Sequence, residues 1–418
     1  MSTSEFDKYK VDYLFLLIGE NPLPNYVAAN LLLNKGGIAY LIYSTGTEKS
    51  AERLQMILKS ELNGFKDVVL RSLDDYESDP FHIQKKIREE LEKIRDGKIG
   101  LNYTGGTKAM SVHSYRAVFK KHPDAFFSYL DPRRLEMRID REDRECDRLK
   151  IKPETLQVEL VKLFQLHGLE LKGTPKKESQ LVGLTNIFVD IFTDKSKANQ
   201  WFDWYYHKFR EQAYKDSRGD WRSPTDLEKM VIPLDNLPQE IIAGFQQEGF
   251  ITDDNQLSLS KVKATNQFAQ LEYFCKWLDG LWLEHYVLEQ VKNIANANSI
   301  TDYGLNFEIP LVGTKNGFEF DVAFTRGYQL FAISCTTTDR RYLCKQKLFE
   351  AYLRARQMGG DEARVALVCC SNEPDTIKAE ITDSINDKKI KVVGREHLTN
   401  LSQELVYWIQ ENDRETSK

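Results

Sequence analysis

The chain has 418 residues, of which 41% are hydrophobic and 29% are charged. This length suits two or three folded domains rather than one core, and the composition excludes a disordered chain. The formal net charge of −5 provides no overall basic field, so nucleic acid would have to be held by a local groove and not by a coating surface.

The composition also indicates a reducing, aqueous location. The apolar stretch at 13–18 is too short to cross a bilayer, and the acidic opening is unlike a secretory signal. Six cysteines form no CxxC pair and have no histidine at ligand spacing, which argues against a zinc site. We therefore expect a cytoplasmic protein with free thiols and no membrane association.

The first segment, residues 1–150, alternates apolar runs with helical patterns. The predicted strands are 11–19, 37–43, 67–72, 99–103 and 125–130, and the predicted helices are 25–33, 50–61, 82–95 and one from Lys108. This alternation predicts an α/β fold of Rossmann-like type, a parallel sheet with helices on both faces. The charged run 141–148 is interpreted as a solvated edge or linker.

The second segment, residues 151–265, is mainly helical and rich in aromatic residues. A helix at 237–249 followed by a small hairpin at 250–259 resembles a winged-helix element, so a DNA-binding role stays open. The aromatic cluster at 201–206 is interpreted as part of a core or interface rather than a platform for bases.

The third segment, residues 266–418, changes pattern again. The predicted elements are a helix at 267–293, strands at 307–312, 319–324 and 329–336, a helix at 343–358, strands at 364–370 and 389–393, and a last helix to 411. Gly359 and Gly360 supply a C-terminal stop for the second helix. A helix, a three-stranded meander, a helix and a strand are the order of a restriction-endonuclease-like α/β core.

Two loops of the first segment follow predicted strands, at the sheet edge where open α/β folds bind ligands. In the second loop, Gly105 and Gly106 allow backbone amides to face an anion, and Lys108 adds charge at a helix N-terminus. Neither GxGxxG nor GxxxxGK[ST] is present, so a dinucleotide or ATP site is not indicated. A plain strand-to-helix turn is the alternative interpretation.

The motif Asn102-Tyr-Thr-Gly-Gly-Thr-Lys-Ala-Met110 and the opening Gly19-Glu-Asn-Pro-Leu-Pro-Asn25 resemble the CARF sensor domain of type III CRISPR ancillary proteins. The resemblance covers the first segment. It implies a homodimer that binds a cyclic oligoadenylate, commonly cyclic tetra-adenylate, across its two-fold axis. The candidate ligand-binding residues are Asn21, Asn25, Ser44, Thr45, Thr104, Gly105, Gly106, Thr107 and Lys108.

Three motifs of the third segment resemble the PD-(D/E)XK nucleases fused to CARF domains in the same systems. They are Trp282-Leu-Glu-His-Tyr-Val287, Phe318-Glu-Phe-Asp-Val-Ala323 and Leu330-Phe-Ala-Ile-Ser-Cys335. The resemblance implies cleavage of DNA or RNA with Mg²⁺ or Mn²⁺ held by oxygen ligands. Asp321 fits the first metal-binding acid and Glu284 the acid of the leading helix. The candidate metal ligands are Asp321, Glu350 and Cys335.

The next strand departs from the family pattern, since it reads Ser334-Cys-Thr336 where an acid-x-Lys is expected. Lys345, Lys347 and Glu350 on the following helix are candidates to replace the missing charges, and Lys347 and Glu350 lie on neighbouring faces. Arg340, Arg341 and Lys345 either meet a nucleic-acid backbone or form a solvated helix start. The catalytic candidates are Glu284, Asp321, Lys347 and Glu350.

These observations favour a nuclease that a cyclic oligoadenylate activates allosterically in antiviral defence. One alternative is a ligand-responsive DNA-binding regulator with an inactive nuclease fold. A second is ring-opening of the bound ligand, in which its 2′-hydroxyl attacks and the hydroxyls near Thr104 position it. His285 is given a packing or polar supporting role, and His113 is given a surface or cap position.

Overall fold

The computed structural model describes residues 4–61, 64–141, 144–215, 220–309, 318–387 and 389–417. Seven strands of the first segment form one sheet of order β3-β2-β1-β4-β5-β6-β7. These strands are β1 (Val11–Leu17), β2 (Leu33–Tyr43), β3 (Asp67–Ser72), β4 (Ile99–Asn102), β5 (Phe126–Asp131), β6 (Glu136–Ile139) and β7 (Asp147–Lys150). The helices between them are α1 (Leu23–Leu32), α2 (Glu48–Ser60), α3 (Pro80–Leu91) and α4 (Lys108–Lys121).

Strands β1 to β5 pair in parallel, which confirms the predicted Rossmann-like fold. Both faces of the sheet are covered, because Leu14 and Leu16 of β1 belong to one apolar cluster while Phe15 and Leu17 belong to another. The antiparallel strands β6 and β7 were not predicted. The charged run 141–148 leads into β7, where charge suits a sheet edge, and residues 142–143 lie outside the described residues.

The second segment packs helices around aromatic residues. Its elements are α5 (Leu160–Leu166), α6 (Val182–Thr193), α7 (Lys195–Trp204), α8 (Glu211–Ala213), α9 (Pro224–Glu228), β8 (Val231–Pro233), α10 (Gln239–Gln247), β9 (Gln256–Ser258) and α11 (Leu259–Ala264). Trp201, Trp204 and Tyr205 are buried, which confirms their predicted core role. The predicted hairpin is present as a bridge between Ile251 and Leu257 and a pairing of β8 with β9.

The third segment forms a five-stranded sheet of order β10-β11-β12-β13-β14. Its strands are β10 (Ile300–Ile309), β11 (Phe318–Arg326), β12 (Gln329–Thr336), β13 (Arg364–Cys369) and β14 (Ile390–Val393). Its helices are α12 (Leu271–Lys276), α13 (Trp282–Ala295), α14 (Arg341–Gly359), α15 (Pro374–Ile385) and α16 (Leu401–Thr416). The first three strands form the predicted antiparallel meander, and β12, β13 and β14 are parallel.

The sequence-based elements of this segment need three corrections. The helix predicted at 267–293 is broken into α12 and α13 by a π-helical turn, Trp277–Leu281, because Gly280 adopts φ +146°. Helix α15 was not predicted. The strand predicted at 307–312 starts earlier, at Ile300, and residues 310–312 lie outside the described residues.

Helix α5 lies between the two sheets and joins their cores. The ring of Phe164 on α5 lies 5.5 Å from that of Phe307 on β10 and 6.3 Å from that of Phe320 on β11. Leu14 of the first sheet and Leu330 of the second belong to the same apolar cluster as Phe164. The first sheet and the second sheet are therefore packed on a common core. Within the described residues, the longest apolar helices fall short of what a bilayer crossing requires.

Candidate functional site

The two predicted ligand loops meet at the carboxyl edge of the first sheet. A Cβ atom added at Gly105 would lie 2.2 Å from the Leu17 carbonyl oxygen, and one added at Gly19 would lie 3.2 Å from the Gly106 nitrogen. Gly106 has φ +76°, a conformation that side chains rarely adopt. The glycines thus allow the backbones of the two loops to touch. This contact explains the glycines more directly than the exposure of backbone amides to an anion does.

Two of the candidate ligand-binding side chains support this loop contact from inside. Asn25 is fully buried, and its Nδ2 donates to the Leu17 carbonyl oxygen at 2.9 Å. Thr104 Oγ1 accepts from the Leu130 nitrogen at 2.7 Å. Both side chains therefore hold the loops in place whatever they contribute to a ligand.

Other candidates lie on the open side of the same edge. Thr107 caps α4 through the Met110 nitrogen, 3.1 Å from its Oγ1, and also donates to the Glu77 carbonyl at 2.9 Å. Lys108 is exposed at the first position of α4, where a helix N-terminus already favours anions. Thr45 is exposed on the loop after β2, while the neighbouring Ser44 is buried.

Asn21 lies on the first loop and contacts the second segment. Its Oδ1 accepts from the Leu23 nitrogen at 3.0 Å and lies 3.0 Å from Nε2 of His167, which follows α5. Neither His167 nor this contact was anticipated from the sequence, because nothing in the spacing of 21 and 167 indicates that they meet.

Asp321 of β11 is the centre of the nuclease-like site. Its Oδ2 accepts from the Ser334 hydroxyl at 2.9 Å and from the Cys335 nitrogen at 2.6 Å. The side chain is 6% exposed. The strand that departs from the family pattern therefore supplies neutral hydrogen-bond donors to this carboxylate in place of a second charge.

Glu284 and Lys347 meet beside Asp321 in a cavity of about 250 Å³. Glu284 is buried on α13, and Lys347 is exposed on α14. The cavity is also lined by residues of the π-helical turn and of the end of β12: Lys276, Asp279, Gly280, Leu281, Cys335, Thr336 and Thr337. The break between α12 and α13 therefore forms one wall of the site, although the apolar pattern of the sequence did not predict it.

Charge couples the members of this site. Burial raises the pKa of the Asp321 carboxyl above its usual value, against the opposing effect of Lys347. The negative charge of Asp321, with a smaller effect of Glu284, raises the pKa of Lys347 above its usual value. Lys347 is therefore a cation directed at the acids, as expected if it replaces the missing lysine of the strand.

Cys335 has a different character, since burial raises the pKa of its thiol well above the usual value. A protonated thiol is a poor ligand for Mg²⁺ or Mn²⁺, so the structure does not favour its predicted role as a metal ligand. Glu350 is exposed one turn after Lys347, and its charge contributes to the raised pKa of Asp321. Its predicted role as a catalytic residue and metal ligand stays a prediction.

The basic cluster at the start of α14 is largely neutralised. Lys345 Nζ lies 2.9 Å from Glu380 Oε2 on α15, and Arg341 forms an ion pair with the same carboxylate. These two residues face α15, so the cluster fits the solvated helix start better than a nucleic-acid contact. His285 is also structural, because its Nδ1 accepts from the Gln180 nitrogen at 3.0 Å.

Two family models match the chain. Residues 14–158 match the one described as the Card1 CARF domain, and residues 271–412 match the one described as the Card1-like endonuclease domain. A search of curated protein sequences gives no match.

Two solved structures share the fold over nearly their whole length. The crystal structure of protein VC1899 from Vibrio cholerae matches with a TM-score of 0.71 and 17% identity, over 96% of this chain and 98% of that one. Can2 from Sulfobacillus thermosulfidooxidans, in complex with cyclic tetra-adenylate, matches with a TM-score of 0.65 and 16% identity, over 95% and 97%. Residues 14–158 of the chain thus form a Card1-type CARF domain, and residues 271–412 form a Card1-like endonuclease domain.

Proposed function

We propose that this protein is a metal-dependent nuclease of type III CRISPR defence that a cyclic oligoadenylate, most simply cyclic tetra-adenylate, activates. The observation that carries the proposal is the meeting of Glu284 and Lys347 at one cavity, with the Asp321 carboxylate close enough to raise the pKa of Lys347, in a chain that also has a CARF domain. Can2, which shares the fold, was solved with cyclic tetra-adenylate.

The sensor half of the proposal depends on the open sheet edge. Lys108 and Thr107 are exposed there at the start of α4, beside the backbone contact between the two glycine loops. A ring with two-fold symmetry could bind across two such edges, and a second copy of the chain would supply the other edge. We therefore propose a homodimer as the working form.

The nuclease half of the proposal depends on hard oxygen ligands. Asp321 and Glu284 would hold Mg²⁺ or Mn²⁺, and the bound cation would supply charge to polarise a phosphodiester and water. Among the described residues, no three His, Cys, Asp or Glu side chains form a ready metal cluster. This fits Mg²⁺, which commonly uses one or two carboxylates and completes its shell with water and substrate phosphate.

Lys347 would act on the phosphate rather than on the cation. Its ammonium stays charged because the neighbouring acids raise its pKa. A fixed positive charge stabilises the negative charge that develops on the phosphate oxygens in the transition state. Ser334 and the Cys335 amide would orient the Asp321 carboxylate from behind.

The nuclease proposal is tested by incubating the purified chain with supercoiled plasmid and with RNA, in Mg²⁺ or Mn²⁺, with and without cyclic tetra-adenylate. We expect ligand-dependent cutting that EDTA and Asp321→Ala abolish. Lys347→Ala should slow cutting by at least about 100-fold. Lys345→Ala, on the same helix but paired with Glu380, is the matched control and should cut normally.

The sensor proposal has its own test, the dissociation constant of cyclic tetra-adenylate measured by calorimetry. Lys108→Ala should weaken binding, while Lys120→Ala, exposed at the other end of α4, should not. Equal affinity of the two variants would place the ligand elsewhere on the chain.

An inactive nuclease fold is the second candidate, since Ser334 and Thr336 are neutral where the family pattern has charges. It predicts no cutting in either metal and ligand-dependent retardation of a specific DNA. The winged-helix-like hairpin is poorly suited to bind DNA, because Asp253 and Asp254 at its tip, next to the Thr252–Gln256 hydrogen bond, would repel the phosphate backbone.

A further inference from the structure

The side chain of Asn21 connects the sensor loop to both other parts of the chain. Its Oδ1 lies 3.0 Å from Nε2 of His167 in the second segment. Its Nδ2 faces Gly360 in the third segment, where an added Cβ would lie only 2.6 Å from that nitrogen. One carboxamide at the ligand edge therefore contacts both the second segment and the endonuclease domain.

His167 is suited to a neutral, directional contact. Burial lowers its pKa to about 4, so the imidazole is uncharged at neutral pH. The neutral ring has one N–H for two acceptors: with the proton on Nε2 it donates to Asn21 Oδ1, and with the proton on Nδ1 it donates instead to the Leu163 carbonyl oxygen, 2.9 Å away. The contact is thus at most one hydrogen bond between neutral groups, which is weaker than the charge-assisted bond that Asn21 Nδ2 could donate to a phosphate.

Gly360 is matched to the close approach of Asn21. Its backbone has φ +60° and ψ −146°, a conformation essentially restricted to glycine. An added Cβ would also lie 3.0 Å from Glu362 Oε2, so space is restricted on both sides. Only a residue without a side chain admits the Asn21 carboxamide here.

Both contacts lead to the nuclease-like site along rigid elements. His167 follows α5, whose Phe164 packs on Phe320, the residue before Asp321. Gly360 directly follows α14, the helix that carries Lys347. A shift of Asn21 would therefore act on the strand of the acid and on the helix of the lysine.

We propose that Asn21 is a latch that holds the ligand-free arrangement through His167 and Gly360, and that a phosphate of the cyclic oligoadenylate releases it. The inference rests on the proposed function and adds the route of regulation. A ligand changes the balance of two arrangements only if it binds one of them better. Here a ligand phosphate would accept from Asn21 Nδ2, and so draw the carboxamide away from Gly360 and His167.

The competition has a consequence for binding as well as for cutting. Because coupling between two sites is reciprocal, loosening the latch should tighten ligand binding and raise ligand-free cutting. A residue that merely supports the fold would weaken binding when it is changed. The direction of the change in affinity therefore distinguishes a latch from a support.

The test uses two substitutions of His167, which lies outside the proposed binding and catalytic residues. His167→Gln can place an amide nitrogen near the Nε2 position and keep the bond, whereas His167→Asn is too short to reach Asn21. We expect His167→Asn to tighten binding of cyclic tetra-adenylate by about 5-fold or more and to raise ligand-free cutting in parallel. His167→Gln should stay close to the wild type.

Gly360→Ala disturbs the same contact from the endonuclease domain, because the added Cβ would lie 2.6 Å from Asn21 Nδ2. It should also tighten ligand binding and raise ligand-free cutting. Calorimetry measures the affinity, and circular dichroism checks that the variant dimers are folded. Hydrogen exchange of α14 should rise in both variants without ligand. If the wild type neither binds the ligand nor cuts, the proposed function is wrong. If the wild type does both, but both variants show unchanged or weaker binding, the latch is wrong.

Discussion

Glu362 offers a sharp test of the packing between the two domains. It lies in the turn after α14, is 2% exposed, and its main-chain oxygen accepts from Gln329 Nε2 and Arg364 Nη1, both at 2.8 Å. Its carboxyl Oε1 is buried with no hydrogen-bond partner within the described part of the chain. Burial raises the pKa of this carboxyl from 4.5 to about 7.

The sign and size of the effect follow from the difference between the folded and unfolded pKa values. Below pH 4.5 both states hold the proton and Glu362 has no pH-dependent effect. Between pH 4.5 and about 7 the unfolded state releases its proton first, so stability falls as the pH rises. At about 1.4 kcal/mol per pKa unit, the full loss is about 3 kcal/mol, of which about 2.5 kcal/mol arises between pH 5 and pH 8.

The substitution Glu362→Gln keeps the shape and removes the titrating group. We expect the variant to gain about 2.5 kcal/mol in unfolding free energy relative to the wild type on going from pH 5 to pH 8. Urea unfolding followed by tryptophan fluorescence measures the unfolding free energy of variant and wild type at each pH. Glu52→Gln, which removes an exposed carboxylate, is the matched control. The same stability difference between variant and wild type at both pH values would refute the reasoning.

Two further predictions concern the sensor loop and the catalytic acid. Gly105→Ala should lower the melting temperature and weaken ligand binding, because the added Cβ would lie 2.2 Å from the Leu17 oxygen. The control is Gly183→Ala on α6, where the added Cβ has open space and should be neutral or stabilising. Equal melting temperatures of the two variants would contradict the loop contact. Asp321→Asn should abolish cutting yet leave the melting temperature at pH 7 unchanged or raised, because burial disfavours the charged form of this carboxyl and raises its pKa. A clear loss of stability would show instead that the neighbouring groups stabilise the carboxylate more than burial disfavours it.

Periodicity predicted the parts of the fold that repeat. The parallel strands β1 to β5 and the meander β10 to β12 carry long apolar runs between turn residues, and each was identified from its pattern. The short strands β6 and β7 and the helix α15 were missed, because few residues and mixed charge leave little periodic signal. The break at Gly280 was missed for the opposite reason, since the apolar pattern continues through it.

The sequence by itself determined which chemistry is available: the glycine and threonine loop before Lys108, the acids Asp321 and Glu284, and the neutral Ser334 to Thr336. Tertiary structure alone decided which of these groups act together. It directs Lys347 rather than Lys345 to the acids, and it brings Asn21 against His167 and Gly360. Local sequence specifies backbone conformation and burial pattern, but contacts between residues far apart in the chain depend on how helices and sheets pack, which no local pattern records.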